Sequence, residues 1–164
     1  GRLLVTLMLC EAGALHEPIL YLSLFLKSRR DDYYRLLQEV RFAGAWEAWM
    51  EFFLTGVAET AEQAADTARE VMGLFDHDRA EIAGLGRAAS SALRVHELLQ
   101  RRPLITIGAA ARELKLSVPA VTKALHLMRG LDIVREITGR QRGRVFEYPK
   151  YLRLLDRGTE PLSN

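Results

Sequence analysis

Residues 103–130, PLITIGAAARELKLSVPAVTKALHLMRG, contain two helical segments with a very short turn between them. The first segment, Ile107–Leu114, follows Thr106, and threonine is a favourable N-cap residue. Only the three residues 115–117 separate it from a second segment, which begins at Val118. Because two helices joined by so short a turn are typical of a helix-turn-helix, the sequence predicts this motif here.

A further helix is predicted before this motif, from about Ala88. Ser90 or Ser91 can cap it, and the basic pair before Pro103 ends it. Its buried face is expected to contain Leu93, Val95, Leu98 and Leu99. A short extended piece, Leu104–Thr106, then leads into the motif.

A β-hairpin is predicted after the last helix of the motif. Residues 133–138 and 145–148 favour strands, and a tight turn rich in arginine lies between them. Gly139 and Gly143 bracket this turn, where glycine can adopt positive φ without steric strain. The order helix, helix, turn, helix and hairpin is that of a winged helix, which we therefore predict from about Ala88 to Pro149.

The charge of the chain is unevenly distributed. Residues 1–100 carry 10 basic and 15 acidic side chains, a net charge of −5, whereas residues 101–157 carry 13 and 5, a net charge of +8. A charge step of this kind near Gln100 indicates a domain boundary. The basic side is the candidate for contact with phosphates.

The last helix of the motif and the hairpin carry the candidate nucleic-acid contacts. The residues expected to face the core are Val118, Val121, Leu125 and Met128. The candidate contacts are Thr122, Lys123, His126 and Arg129 on the helix and Arg140, Arg142 and Arg144 on the hairpin. Lysine and threonine can contact base edges, and arginines can bind phosphates. Winged helices also serve as dimerisation or protein-docking modules, and Pro119 and Ala120 are weak base readers, so protein docking stays open.

The first part of the chain is predicted to be helical, with no strand before residue 104. A break is expected near Ser28–Asp31, Gly44 ends the next segment, and a long helix follows Gly56. Gly84 closes the helical part. Four aromatic residues at helical spacing are interpreted as core packing: Tyr33, Tyr34, Trp46 and Trp49.

The stretches GRLLVTLMLCEAGAL, EPILYLSLFLKSRRDDYYRLLQEVR and WEAWMEFFLTGVAETA resemble the part of a Fic-domain protein that directly follows its catalytic loop. The resemblance runs from Gly1 to roughly Phe75. Many bacterial Fic proteins continue into a C-terminal winged helix, as this chain does. Together with the winged helix predicted above, the resemblance implies a mainly α fold. Its parts are the C-terminal helices of a Fic-type bundle and a connecting helix in residues 1–86, the winged helix with a small β-hairpin in 87–157, and a tail in 158–164.

The resemblance also implies an activity for the parent protein. The family's loop is HxFx(D/E)GNGRxxR, and Arg2 matches its final arginine, which helps to hold nucleotide phosphates. The general-base histidine, the acidic residue that positions magnesium and the GNG anion cradle would all lie upstream of Gly1. The intact parent would transfer AMP from ATP to a hydroxyl on a protein target, with ATP and magnesium as cofactors. The chain as given is expected to be inactive and to hold no cofactor.

An alternative function is a DNA-binding regulator whose helical first part serves for dimerisation. A homo-oligomer is expected under either function. If the helices that precede Gly1 in the family are removed, a patch of apolar residues loses its cover. That patch comprises Leu4, Leu7, Met8 and Tyr21.

Other features limit the class of protein. Cys10 is the one cysteine, so no disulfide can form within the chain, and a cytoplasmic location is expected. The apolar run Leu3–Cys10 is too short for a membrane span, so no membrane partner is expected. The four histidines lack metal-ligand spacing, so no metal site is predicted in this chain. No catalytic residue is predicted either, because the catalytic loop that the resemblance implies would lie upstream of Gly1.

Overall fold

The computed structural model describes Glu11, Gly13 and residues 22–86, 89–140 and 142–157. Among these residues, one compact unit extends to Ala68, and a second comprises Arg69–Arg157. The predictions for Arg2, for the apolar run Leu3–Cys10, for the apolar patch that includes Tyr21 and for the tail 158–164 lie outside the described residues. No described helix combines the length and the apolar character that crossing a membrane requires.

Three helices contribute to the described part of the first unit, and the last of them continues into the second. They are α1 (Leu22–Ser28), α2 (Arg30–Ala43) and α3 (Trp46–Ala83). The break between α1 and α2 falls at Arg29, within the predicted range, and Gly44 ends α2 with a left-handed φ of 67°. Both predictions are confirmed.

The expectation of a new helix after Gly56 is wrong, because α3 passes through this residue without interruption for 38 residues. Gly56 instead permits a close approach of side chains. A Cβ atom built there would lie 2.4 Å from Cε1 of Phe25. Glycine is therefore needed at this position for helix packing, and a larger residue would displace the Phe25 ring.

Among the described residues, the core of the first unit is small and largely aromatic. Leu22, Phe25 and Leu26 are buried, and the rings of Phe25 and Phe52 lie 5.3 Å apart. Tyr33 packs on Trp49 at 5.5 Å, as the packing interpretation predicts. Two of the four aromatic residues interpreted as core packing are not in the core: Tyr34 is 49% exposed and Trp46 is 61% exposed, so the interpretation is wrong for them. Trp46 is the first residue of α3, so no preceding turn of that helix covers it.

The second unit has the element order predicted for a winged helix. After the last part of α3 follow α4 (Ala89–Arg101), β1 (Leu104–Thr106), α5 (Ile107–Leu114), α6 (Val118–Gly130), β2 (Arg135–Glu136), β3 (Val145–Glu147) and α7 (Pro149–Asp156). The strands form an antiparallel sheet in the order β1, β3, β2. The chain is thus mainly α-helical with a small β-hairpin, as predicted.

Local capping interactions explain the helix-turn-helix. The Thr106 hydroxyl oxygen accepts a hydrogen bond from the Ala109 amide at 3.2 Å, which caps α5. Ser117 caps α6 in the same way through the Ala120 amide. Lys115 ends α5 in the left-handed conformation with φ 52°. The predicted cap for α4 is wrong, because Ser90 and Ser91 lie inside that helix.

The hairpin strands are shorter than predicted. Ile133 and Val134 are buried in the core, and the Ile133 amide donates to the carbonyl of Met128 at the end of α6 instead of to a strand. After β2, the Ile137 amide donates to the Val145 carbonyl at 3.0 Å, which continues the pairing with β3 by one residue. Tyr148, predicted as strand, is the N-cap position of α7.

The core of the second unit joins the end of α3 to the winged helix. Its largest fully buried apolar residues are Ile82, Val95, Leu98, Leu99, Val121, Leu125, Met128, Ile133 and Tyr148. The predicted core faces of α4 and α6 are confirmed except at two positions. Leu93 is only partly buried. Val118 is 55% exposed, since it begins α6 ahead of the turn that packs on the core.

Candidate nucleic-acid interface

Helix α6 exposes the polar residues predicted for its outer face. Lys123, His126 and Arg129 are exposed, whereas Ala124 and Leu125 face the core. Thr122 is half-buried, and its hydroxyl donates to the Val118 carbonyl at 2.9 Å. That hydroxyl hydrogen is therefore committed to the helix, and Thr122 can offer a ligand only an acceptor oxygen.

The hairpin turn exposes two of its three predicted arginines. Gly139 and Gly143 have φ values of 61° and 67°, so both glycines adopt the positive φ that the sequence predicts. Arg140 and Arg142 between them are exposed. Arg144 is half-buried, and its guanidinium carbon lies 5.9 Å from the Phe146 ring centroid. We call residues 137–144 the wing.

A carboxylate on β2 organises the start of the wing. Oε1 of Glu136 accepts hydrogen bonds from the Thr138 hydroxyl at 2.5 Å, the Gly139 amide at 2.8 Å and the Thr138 amide at 3.1 Å. The Thr138 hydroxyl oxygen also accepts from the Val145 amide across the hairpin at 3.2 Å. The Thr138 hydroxyl, the two amides and nearby Arg144 hold the pKa of Glu136 below its ordinary value.

The basic residues of the second unit divide into paired and unpaired groups. Arg102 pairs with Glu113 at 2.8 Å, and Arg135 pairs with Glu147 at 2.5 Å. A third ion pair, Arg157 with Glu70, also measures 2.5 Å. Within the described residues, no ion pair engages the cations of α6 and the wing: Lys123, Arg129, Arg140 and Arg142. These four side chains can bind an anion without first breaking an ion pair.

A buried polar network, which the sequence analysis missed, joins three elements of the second unit. The Tyr148 hydroxyl donates to Oδ2 of Asp78 at 2.5 Å and lies 3.3 Å from Nε2 of His96. Nδ1 of His96 lies 3.3 Å from the Gln100 amide nitrogen. Asp78, His96 and Tyr148 are fully buried. Because the Tyr148 hydroxyl donates its proton to Asp78, its oxygen can only accept from His96, so Nε2 of His96 carries the hydrogen and donates it to that oxygen. Nδ1 of the neutral ring then accepts a hydrogen bond from the Gln100 side-chain amide.

Burial shapes the protonation of this network. Desolvation lowers the pKa of His96, although the Asp78 carboxylate opposes the shift. Burial and the bond to Asp78 together raise the pKa of Tyr148. His96 is therefore neutral and Tyr148 keeps its proton at physiological pH, which fits the assigned hydrogen bonds.

One group of potential metal ligands occurs among the described residues. Donor atoms of His77, Asp78 and Glu81 lie within 4.8 Å of one another. His77 and Glu81 are an exposed pair one helical turn apart, with Nε2 and Oε2 3.8 Å from each other. Asp78 accepts a hydrogen bond from the Tyr148 hydroxyl. These interactions account for the arrangement, and the expectation that the chain has no metal site stays a prediction.

Arg2, the residue matched to the nucleotide-binding arginine of the Fic motif, lies outside the described residues. No protein-family model matches the chain. The site that the described residues offer is therefore the outer face of α6 together with the wing.

Proposed function

We propose that the winged helix of residues 87–157 binds duplex DNA, with α6 in the major groove and the wing against the phosphate backbone. The observation that supports this most strongly is the set of four exposed cations on α6 and the wing that have no acidic partner among the described residues.

Charge favours DNA over protein docking as the role of this surface. Residues 101–157 carry a net charge of +8, which attracts a polyanion. Lysine is depleted at the centres of protein interfaces, whereas Lys123 is exposed in the middle of the outer face of α6. Lysine is also suited to contact guanine O6 and N7 in the major groove.

Replacing Lys123 by alanine is expected to change which sequences the protein prefers. If the ammonium contacts a base, its loss relaxes discrimination at that base pair by about 1–3 kcal/mol. Selection of bound duplexes from a random library, followed by sequencing, measures this for wild type and variant. Arg153→Ala is the matched control, because Arg153 is exposed on α7, outside α6 and the wing. Equal weakening by both substitutions with unchanged preferences would contradict base contact by Lys123.

We further propose that the first part of the chain belongs to a Fic-type protein adenylyltransferase, with the winged helix as its accessory module. The support is the resemblance of residues 1–75 and the helical character of the first unit. The gene should then encode the HxFx(D/E)GNGRx motif immediately before Gly1. An initiator codon at that place would instead favour a DNA-binding regulator with a helical dimerisation domain.

A further inference from the structure

We propose that Glu136 is a positioning residue for DNA binding: its carboxylate holds the wing in the shape that presents Arg140 and Arg142 to phosphates. The inference rests on the proposed DNA-binding function. Glu136 belongs to β2, outside the predicted contact set, and it carries the charge opposite to that of a DNA-binding residue.

The geometry supports this role through a single oxygen atom. Oε1 of Glu136 accepts three hydrogen bonds from the two residues that start the turn, Thr138 and Gly139. Two of these donors are backbone amides that the β-ladder leaves unpaired at this point. A carboxylate that accepts from successive amides fixes the backbone direction there, as anions do in backbone nests.

The constraint extends across the hairpin. The Thr138 hydroxyl donates to Glu136 and at the same time accepts from the Val145 amide on the returning strand. Glu136 therefore links both sides of the wing through Thr138. Gly139, which Glu136 binds directly, is also the positive-φ residue that precedes Arg140. The carboxylate thus fixes the backbone at the residue that directly precedes the first exposed arginine of the wing.

Electrostatics alone gives the opposite expectation, and this difference makes the role testable. A carboxylate close to a phosphate-binding turn repels phosphates, so its removal should strengthen DNA binding. If Glu136 positions the wing, its removal should weaken binding although the protein becomes more positive. The direction of the change therefore separates a positioning role from a charge effect.

Three variants of the full chain form the experiment. Glu136→Ala removes the acceptor, and Glu136→Gln keeps an acceptor oxygen without the charge. Asp132→Asn is the matched control: Asp132 is exposed, lies between α6 and β2 and has a φ of 55°, a conformation that asparagine tolerates. Fluorescence anisotropy with one labelled duplex at two salt concentrations gives affinity and salt slope. Amide hydrogen exchange at Gly139 reports the order of the wing without DNA.

We expect Glu136→Ala to bind about three- to ten-fold more weakly than wild type, with a salt slope smaller by up to about 2, since two phosphate contacts lose their fixed position. Its Gly139 amide should exchange faster. Glu136→Gln should recover most of the affinity, and Asp132→Asn should bind as well as wild type or better. Glu136→Ala and Glu136→Gln both binding at least as tightly as Asp132→Asn would overturn the inference. Failure of wild type and Asp132→Asn to bind any duplex would overturn the DNA-binding proposal, and this inference with it.

Discussion

Replacing Tyr148 by phenylalanine is expected to lower the free energy of unfolding by about 3 kcal/mol. The hydroxyl is the one hydrogen-bond partner of the Asp78 side chain among the described residues, and Oδ1 of Asp78 is already buried without a partner. Without the hydroxyl, a fully buried carboxyl group loses its last hydrogen bond, and Nε2 of His96 loses its acceptor. Groups left unsatisfied in this way destabilise a protein far more than the average hydrogen bond stabilises it.

The effect should come from hydrogen bonding and not from packing. Phenylalanine keeps the ring that packs near Phe75 and Tyr151, at centroid distances of 6.0 and 5.8 Å. Tyr151→Phe is the matched control, because Tyr151 belongs to the same aromatic cluster but its hydroxyl has no hydrogen bond to another described residue. Its free energy of unfolding should change by less than about 0.5 kcal/mol.

Equilibrium urea denaturation measures these changes. Adding Asp78→Leu to Tyr148→Phe should recover part of the lost stability, since removing both polar partners is far less unfavourable than removing one. Equal stability of Tyr148→Phe and Tyr151→Phe would show that the network contributes nothing specific to the fold. If the double variant were less stable than Tyr148→Phe alone, tight packing around Asp78, and not hydrogen bonding, would be the dominant contribution to stability at this site.

Replacing Arg140 and Arg142 together by alanine is expected to weaken duplex binding about ten-fold at physiological salt. Each exposed ion contact contributes up to about 1 kcal/mol, so two contacts account for about one order of magnitude in affinity. The salt slope should decrease by about 2, about one unit for each phosphate contact. The loss should be similar for every duplex sequence, because phosphate contacts carry no direct sequence information.

The double variant Arg79→Ala with Arg153→Ala is the control for net charge. Both of its arginines are exposed, and neither lies on the helix-turn-helix or the wing. Anisotropy titrations at two salt concentrations should show a smaller loss of affinity and a smaller change in slope for this control. Equal losses in the two double variants would mean that the wing makes no specific contribution and that only total charge attracts DNA.

The winged helix was predictable because its signals are local. Thr106 and Ser117 stand at the helix starts that they cap, and residues 115–117 allow only a tight turn. The positive φ of Gly139 and Gly143 also followed from residue type. Helix α7 was not predicted, although Pro149 at its first position favours a helix start.

Interactions between distant parts of the chain were not predictable. Asp78 and Tyr148 are 70 residues apart, so no periodic pattern connects them. His96 gave a partial signal, since it lies beside Val95 on the apolar face of α4, where a histidine needs a buried partner. Gly56 resembled a helix end in sequence, but its contact with Phe25 depends on how α1 packs on α3.

The candidate site shows the same division. Residue type and helical spacing predicted which side chains of α6 and the wing are exposed, and this is confirmed for Lys123, His126 and Arg129. The same pattern could not reveal that the Thr122 hydroxyl is bonded to its own helix or that Arg144 packs over Phe146. The proposed role of Glu136 depends on three hydrogen bonds from Thr138 and Gly139, and hydrophobic periodicity gives no signal for such bonds.

If α6 and the wing together contact one DNA duplex, a short duplex titrated into the isotope-labelled chain should shift the backbone amide resonances of both elements. We expect the largest changes at Lys123, His126, Arg140 and Arg142, and small changes on α7 and in the first unit. Changes confined to elements other than α6 and the wing, or no changes at a duplex concentration of about 100 μM, within the range of non-specific dissociation constants, would contradict the claim.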